Sequence, residues 1–239
     1  MGLFDIFASK GPGAIKKHAA RAANRRAQNP DRWESIQALA EMRTPEAVTA
    51  LLARFTIRVD PSIVDQEEKD AAFQGVVGAG DVAVEPVKRF MRDSETISWP
   101  LKALEQLLPD EEVVAALLEA LEDMDTEYER DPQKKIQLVA YLEDRADSRI
   151  VEAVRRFLDD QNETVRFHAI GAIYVQAEAE TAREELLATL LREESVRCRA
   201  RILDGFVENE WAVPDDQRQD VRSQLPDGYA IDGGGVPRK

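Results

Sequence analysis

A chain of 239 residues that is 44% apolar and 33% charged fits helices that each bury one face and wet the other, and this composition excludes a disordered polymer. The formal charge of −14 is unevenly spread: residues 1–32 hold seven Lys/Arg against Asp5 and Asp31, whereas residues 33–239 hold 25 against 44 Asp/Glu. A body of that sign repels phosphate backbones, so no nucleic-acid ligand is expected. Cys198 is the only cysteine, so no intramolecular disulfide can form. No apolar run approaches the roughly 20 residues that span a bilayer, and the opening segment is too short for a signal-peptide core. Ile6 stands where a myristoylation signal wants Ser or Thr. The expected location is the cytoplasm.

The first segment, residues 1–28, is a basic head. Leu3, Phe4, Ile6 and Phe7 form an apolar tip, and a predicted helix over Ala14–Gln28 carries Lys16, Lys17, Arg21, Arg25 and Arg26. Two compatible readings follow: a helix capping the first repeat, or a peripheral anchor to an anionic membrane or acidic partner. The anchor would use Phe4, Phe7 and those five cations.

From about residue 30 the apolar spacing predicts six helical hairpins, roughly 33 residues each. The first is Pro30–Met42 with Pro45–Arg58, where Asn29-Pro30 and Thr44-Pro45 each read as a cap followed by proline. The next two run over about 65–91 and 97–123, the latter with a stripe of Val113, Val114, Leu117, Leu118 and Leu121. The fourth opens at Asp131-Pro132, the fifth spans Glu163–Gln176 and Thr181–Arg192, and the sixth starts near Ser195 and ends with Asp215–Gln224. One hairpin cannot bury its stripe alone, but stacked neighbours make a continuous core. No alternating pattern supports a β-sheet. Residues 226–239, rich in Gly, predict a flexible tail in which Tyr229 and Ile231 are the two side chains able to fold back.

A motif recurs. Asn162-Glu-Thr-Val165-Arg166 leads into Ala169 and Ala172, and 31 residues after Val165 the core returns as Ser195-Val196-Arg197 leading into Ala200. Small residues let helices approach closely, while the Arg after Val reaches towards the next repeat. This pattern resembles the HEAT-repeat superfamily, including the HEAT-like repeats of phycobilisome lyases, closely over about 131–210 and more loosely over 30–125, where Val-Arg is missing. The resemblance implies an all-α solenoid (a HEAT/armadillo-like superhelix) over residues 29–225.

Enzymes of that superfamily make demands that the residues present can be set against. A di-iron hydroxylase needs repeated His-Glu pairs, and this chain has no such dipeptide. A DNA glycosylase needs a basic concave face with aromatics; Trp33, Trp99 and Trp211 are present, but on an acidic body. Lyase chemistry has no motif to test. His18, His168 and Cys198 do not form a ligand set, so no metal or cofactor is expected. The acidic stretch Asp110–Asp131 faintly resembles a calcium loop, but Tyr128 occupies the glycine position and Lys134 the bidentate-glutamate position. The expected function is a non-enzymatic scaffold or adaptor for a protein partner. Arg54, Arg149, Arg155 and Arg156 on the second helices are the candidate contact residues. The alternatives are a membrane-recruited regulator led by the head, and a lyase- or glycosylase-type enzyme.

Overall fold

A computed structural model describes residues 12–95 and 97–239; the apolar tip with Phe4 and Phe7 lies outside them. Among the described residues there are 13 α-helices and almost no strand, as the periodicity required. In chain order they are α1 Pro12–Ala22, α2 Asn29–Met42, α3 Pro45–Leu52, α4 Ser62–Val77, α5 Val84–Asp93, α6 Ser98–Leu107 and α7 Asp110–Glu122. They continue as α8 Gln133–Glu143, α9 Ile150–Arg155, α10 Glu163–Tyr174, α11 Arg183–Arg192, α12 Val196–Glu208 and α13 Arg218–Gln224. From α2 onward the order of twelve helices follows the expected succession of first and second helices, and several second helices begin or end in a 3-10 turn, including Ala53–Thr56 and Arg156–Asp159.

The contacts divide the chain into two units, residues 1–113 and 114–239, with α7 running across the division. In the first unit, first helices pack on first helices (α2 on α4, α4 on α6), and α3 packs on α5. The helix α1 lies against α2 and α3. In the second unit α8, α10 and α12 form the first-helix layer, and α11 packs on α13.

Local chemistry sets the helix starts. Thr44 Oγ1 accepts from Ala47 N (3.3 Å), Asn162 Oδ1 from Thr164 N (2.9 Å) and Ser195 Oγ from Cys198 N (3.3 Å), each satisfying a first-turn N–H that has no partner in the helix. The expected Asn29 cap is different. Gln28 occupies the cap position without a side-chain bond, and Asn29 Nδ2 instead donates to Glu68 Oε1 at 2.8 Å.

Small residues fix the interhelix distances. Ala169 and Ala172 are completely buried in α10. At Gly75 an added Cβ would lie 2.7 Å from Ala40 Cβ and 3.3 Å from its Cα, so α4 approaches α2 only because that position lacks a side chain. At Gly205 the space is taken by the Tyr174 ring, whose hydroxyl donates to Ile202 O at 2.8 Å.

Two expectations need correction. A β element exists: β1 Ala230–Ile231 pairs antiparallel with β2 Pro237–Arg238. The tail also packs rather than trailing free. Tyr229 Oη donates to Asp204 Oδ1 (2.6 Å), Lys239 Nζ pairs with the same carboxylate (2.9 Å), and Val213 N donates to Gly235 O (2.8 Å).

Buried charge ties hairpins together. In the first unit Glu68, on α4, is fully buried and accepts from Arg32 (Nε 2.9 Å, Nη2 2.9 Å), Arg54 (Nε 2.9 Å) and Asn29. Arg54 also reaches Asp65 Oδ1 at 2.8 Å, and Lys69 closes on Asp65 Oδ2 at 2.7 Å. Burial alone would raise the Glu68 pKa, but the hydrogen bonds from Arg32, Asn29 and Arg54 outweigh it and hold the carboxyl below its usual range.

Candidate functional site

A cleft lies within the second unit, between the C-terminal part of α7 and α9. It has a volume of ≈ 490 Å3, and its walls are Leu118, Leu121 and Ala153, bordered by Glu122, Arg149, Glu152 and Arg156. The cleft exists because the apolar stripe of α7 is wider than its neighbour covers. Leu117 and Leu121 are buried, whereas Leu118, read from the sequence as equally internal, is only partly covered. Apolar walls ringed by four charged side chains suit the apolar face of a peptide or helix with polar flanks, since the walls gain from losing water while the rim stays solvated.

The structure separates the four arginines expected at a partner surface. Arg149 and Arg156 line this cleft. Arg149 is held by Asp147 at 2.6 Å, and Arg156 Nη2 donates to the carbonyls of Leu121 (2.6 Å) and Glu122 (3.3 Å). Arg156 thus satisfies carbonyls left open at the C-terminus of α7. Arg155 turns to the neighbouring repeat, donating to Glu185 Oε1 (3.0 Å) and to Thr181 O (3.3 Å). Arg54 is a correction: its side chain is 0% exposed and fully engaged with Glu68 and Asp65, so it is interior and offers nothing to a partner. The wall residues Leu118 and Ala153 were missed because no local pattern distinguishes a stripe that is covered from one that is left open.

The Val-Arg signature works as a tie between repeats. Arg166 forms a two-pronged pair with Glu193 (2.7 Å on each oxygen), and the same carboxylate accepts from Ser195 N (2.8 Å) at the start of α12. Burial raises the Glu193 pKa, but Arg166 and that backbone N–H bring it below the ordinary value. The second copy of the motif points back: Arg197 lies 3.4 Å from Glu163.

His168 is half-buried on α10, with Nδ1 2.9 Å from Glu143 Oε1 of α8, and Arg201 of α12 reaches the same oxygen at 3.0 Å. An added methyl at Gly171 would collide with the Arg201 guanidinium, so this glycine opens the path between α12 and α8. Phe167 stacks beneath the guanidiniums of Arg197 (4.2 Å) and Arg201 (4.0 Å). The Cys198 thiol is buried, and burial pushes its pKa up. Two of the tryptophans are packing residues: Trp99 stacks on Phe55 (5.0 Å), and Trp211 meets Phe206 edge-on (5.4 Å). Trp33 is partly exposed on α2.

The acidic loop after α7 encloses a cation of its own. Lys135 is fully buried, and its ammonium lies 2.8 Å from Asp125 O, 3.4 Å from Glu127 O, 3.4 Å from Glu129 Oε1 and 2.9 Å from Asp160 Oδ2. Of the loop carboxylates only Glu129 reaches this ammonium; Asp125 and Glu127 offer backbone carbonyls, and the Asp125 side chain accepts from Glu127 N. Among the described residues no three His, Cys, Asp or Glu side chains converge as a metal site.

The basic head is described from residue 12. Lys16, Lys17, Arg25 and Arg26 are exposed and Arg21 is partly covered, while Ala22 is fully buried against the first hairpin.

These capped helices, packed layer on layer within each unit, define an all-α helical-repeat fold. The family described as PBS lyase HEAT-like repeat matches residues 31–55, the hairpin of α2 and α3. That match falls in the stretch read as the looser one, where Val-Arg is missing. No curated protein matches the chain. Among the described residues no helix is long and apolar enough to cross a membrane.

Proposed function

We propose that this helical-repeat protein is a non-enzymatic adaptor that holds a segment of a protein partner in the cleft between α7 and α9. The observation that carries the reading is the pairing of an apolar wall (Leu118, Leu121, Ala153) with a charged rim on a face built from second helices. Arg149 and Arg156 are already oriented by Asp147 and by the end of α7, so little side-chain freedom is lost when a ligand arrives.

The test uses the full chain with a photo-crosslinking residue at Ala153, in parallel with one at Glu34 on α2. The reading expects an adduct from the cleft position that disappears on adding Leu118→Glu and persists with Arg155→Ala. Adducts of equal yield from both positions, or unaffected by Leu118→Glu, would remove the cleft as the binding surface.

A further inference from the structure

The helix α1 carries a second surface that the cleft does not use. Its inner side is set by Ala14, Ile15, His18, Ala19 and Ala22, all at least partly covered, and it faces α2 and α3. His18 Nδ1 lies 3.3 Å from Ser35 Oγ, and burial, then Lys17, lower the His18 pKa. The outer side follows from the same period. Gly13, Lys16, Lys17, Ala20 and Asn24 recur at three- and four-residue steps and are all exposed, and Arg25 and Arg26 continue them into the turn. Placing the apolar side of α1 on the first hairpin therefore forces its cations outward. The rest of the chain has the opposite sign, with 44 acidic against 25 basic residues from 33 onward.

We infer that the outer face of α1 is a docking surface for an anionic lipid bilayer, with Lys16, Lys17, Arg25 and Arg26 at the headgroups. The charge of the first unit favours a lipid surface over a nucleic acid. Residues 33–113 carry 16 acidic against eight basic residues, so a long nucleic acid extending past α1 would meet that acidic surface, whereas a bilayer meets only the face turned towards it. Each cation at a headgroup layer strengthens binding about fivefold (about 1 kcal/mol), and the contribution fades within a Debye length, about 10 Å at 0.1 M salt. Binding is thus reversible and salt-sensitive.

The experiment is co-sedimentation of the full chain with vesicles of phosphatidylcholine alone or mixed with phosphatidylserine, at about 0.01 M and about 0.1 M salt. The bound fraction should require phosphatidylserine and fall about tenfold or more with salt. It should be abolished by Lys16→Glu/Lys17→Glu/Arg25→Glu/Arg26→Glu. The reversed residues are exposed, so the melting curve should be unchanged; if it is not, Lys16→Gln/Lys17→Gln replaces the fourfold variant and should show an intermediate loss. Sedimentation with neutral vesicles, indifference to charge reversal, or tighter binding to a short DNA duplex at equal phosphate concentration would each overturn the inference.

Discussion

Replacing Glu68 by Gln keeps the shape of the side chain and deletes one buried charge. Two guanidiniums then lose a carboxylate: Arg32, which has 3% of its surface exposed, and Arg54, which has none. Removing one partner of a buried pair costs about 3–5 kcal/mol. Here the loss falls near about 3 kcal/mol, because Arg54 keeps Asp65 and the Ile57 carbonyl and Arg32 keeps the Ala27 carbonyl. For a unit of about a hundred residues that lowers the melting temperature by about 12 °C. The pH dependence adds an internal control. The folded-state pKa of Glu68 lies below its ordinary 4.5, so its contribution is fully present above that value and is lost as pH falls through the depressed one. Thermal melts followed by circular dichroism should therefore show the wild-type and Glu68→Gln curves far apart at neutral pH and converging in acid. Adding Arg32→Met should recover part of the loss, since a stranded guanidinium is removed. A shift below about 2 °C at neutral pH, or one that does not shrink on acidification, would refute the assignment of this network as a buried tie.

Lys135→Met should destabilise the second unit by about 3–5 kcal/mol, since it leaves Asp160 buried without its ammonium; chemical denaturation reads this directly. Ala169→Leu or Ala172→Leu should each cost about 1–3 kcal/mol through overpacking of α10, and an unchanged denaturation midpoint would count against the close contact. Gly205→Ala should also destabilise despite the better helix propensity of alanine, because the Tyr174 ring fills the site; a raised melting temperature would contradict this. Arg54→Ala should lower the midpoint far more than Arg156→Ala, although both arginines lie in 3-10 turns at the end of a second helix.

That last pair shows how far sequence reasoning extends. Helices and hairpins were legible because their causes are local: apolar residues three and four apart, and caps such as Thr44 and Asn162 within three residues of the N–H they satisfy. The environment of Arg54 is not local. Its partners Asp65 and Glu68 lie on the next hairpin, so a residue that looks like a surface cation at position 54 is an interior one. The pairing of His168 with Glu143, 25 residues apart, was hidden for the same reason. The cleft depends on how much of the α7 stripe a neighbour covers, which no periodicity encodes. The tail was legible only in part: Tyr229 was one of two side chains able to fold back, but Gly-rich composition reports the freedom of a chain and not the bonds that Tyr229 and Lys239 make to Asp204.

The ammonium of Lys135 at the centre of the acidic loop has a consequence for how that loop responds to its surroundings. A dissolved cation arrives and leaves according to its concentration, so a loop built around one follows changes in the medium. A cation joined to the chain by its own side chain is always present, at an effective concentration set by the tether. The charge that closes loop 123–131 between α7 and α8 is thus supplied by the chain itself and needs no ion from the medium.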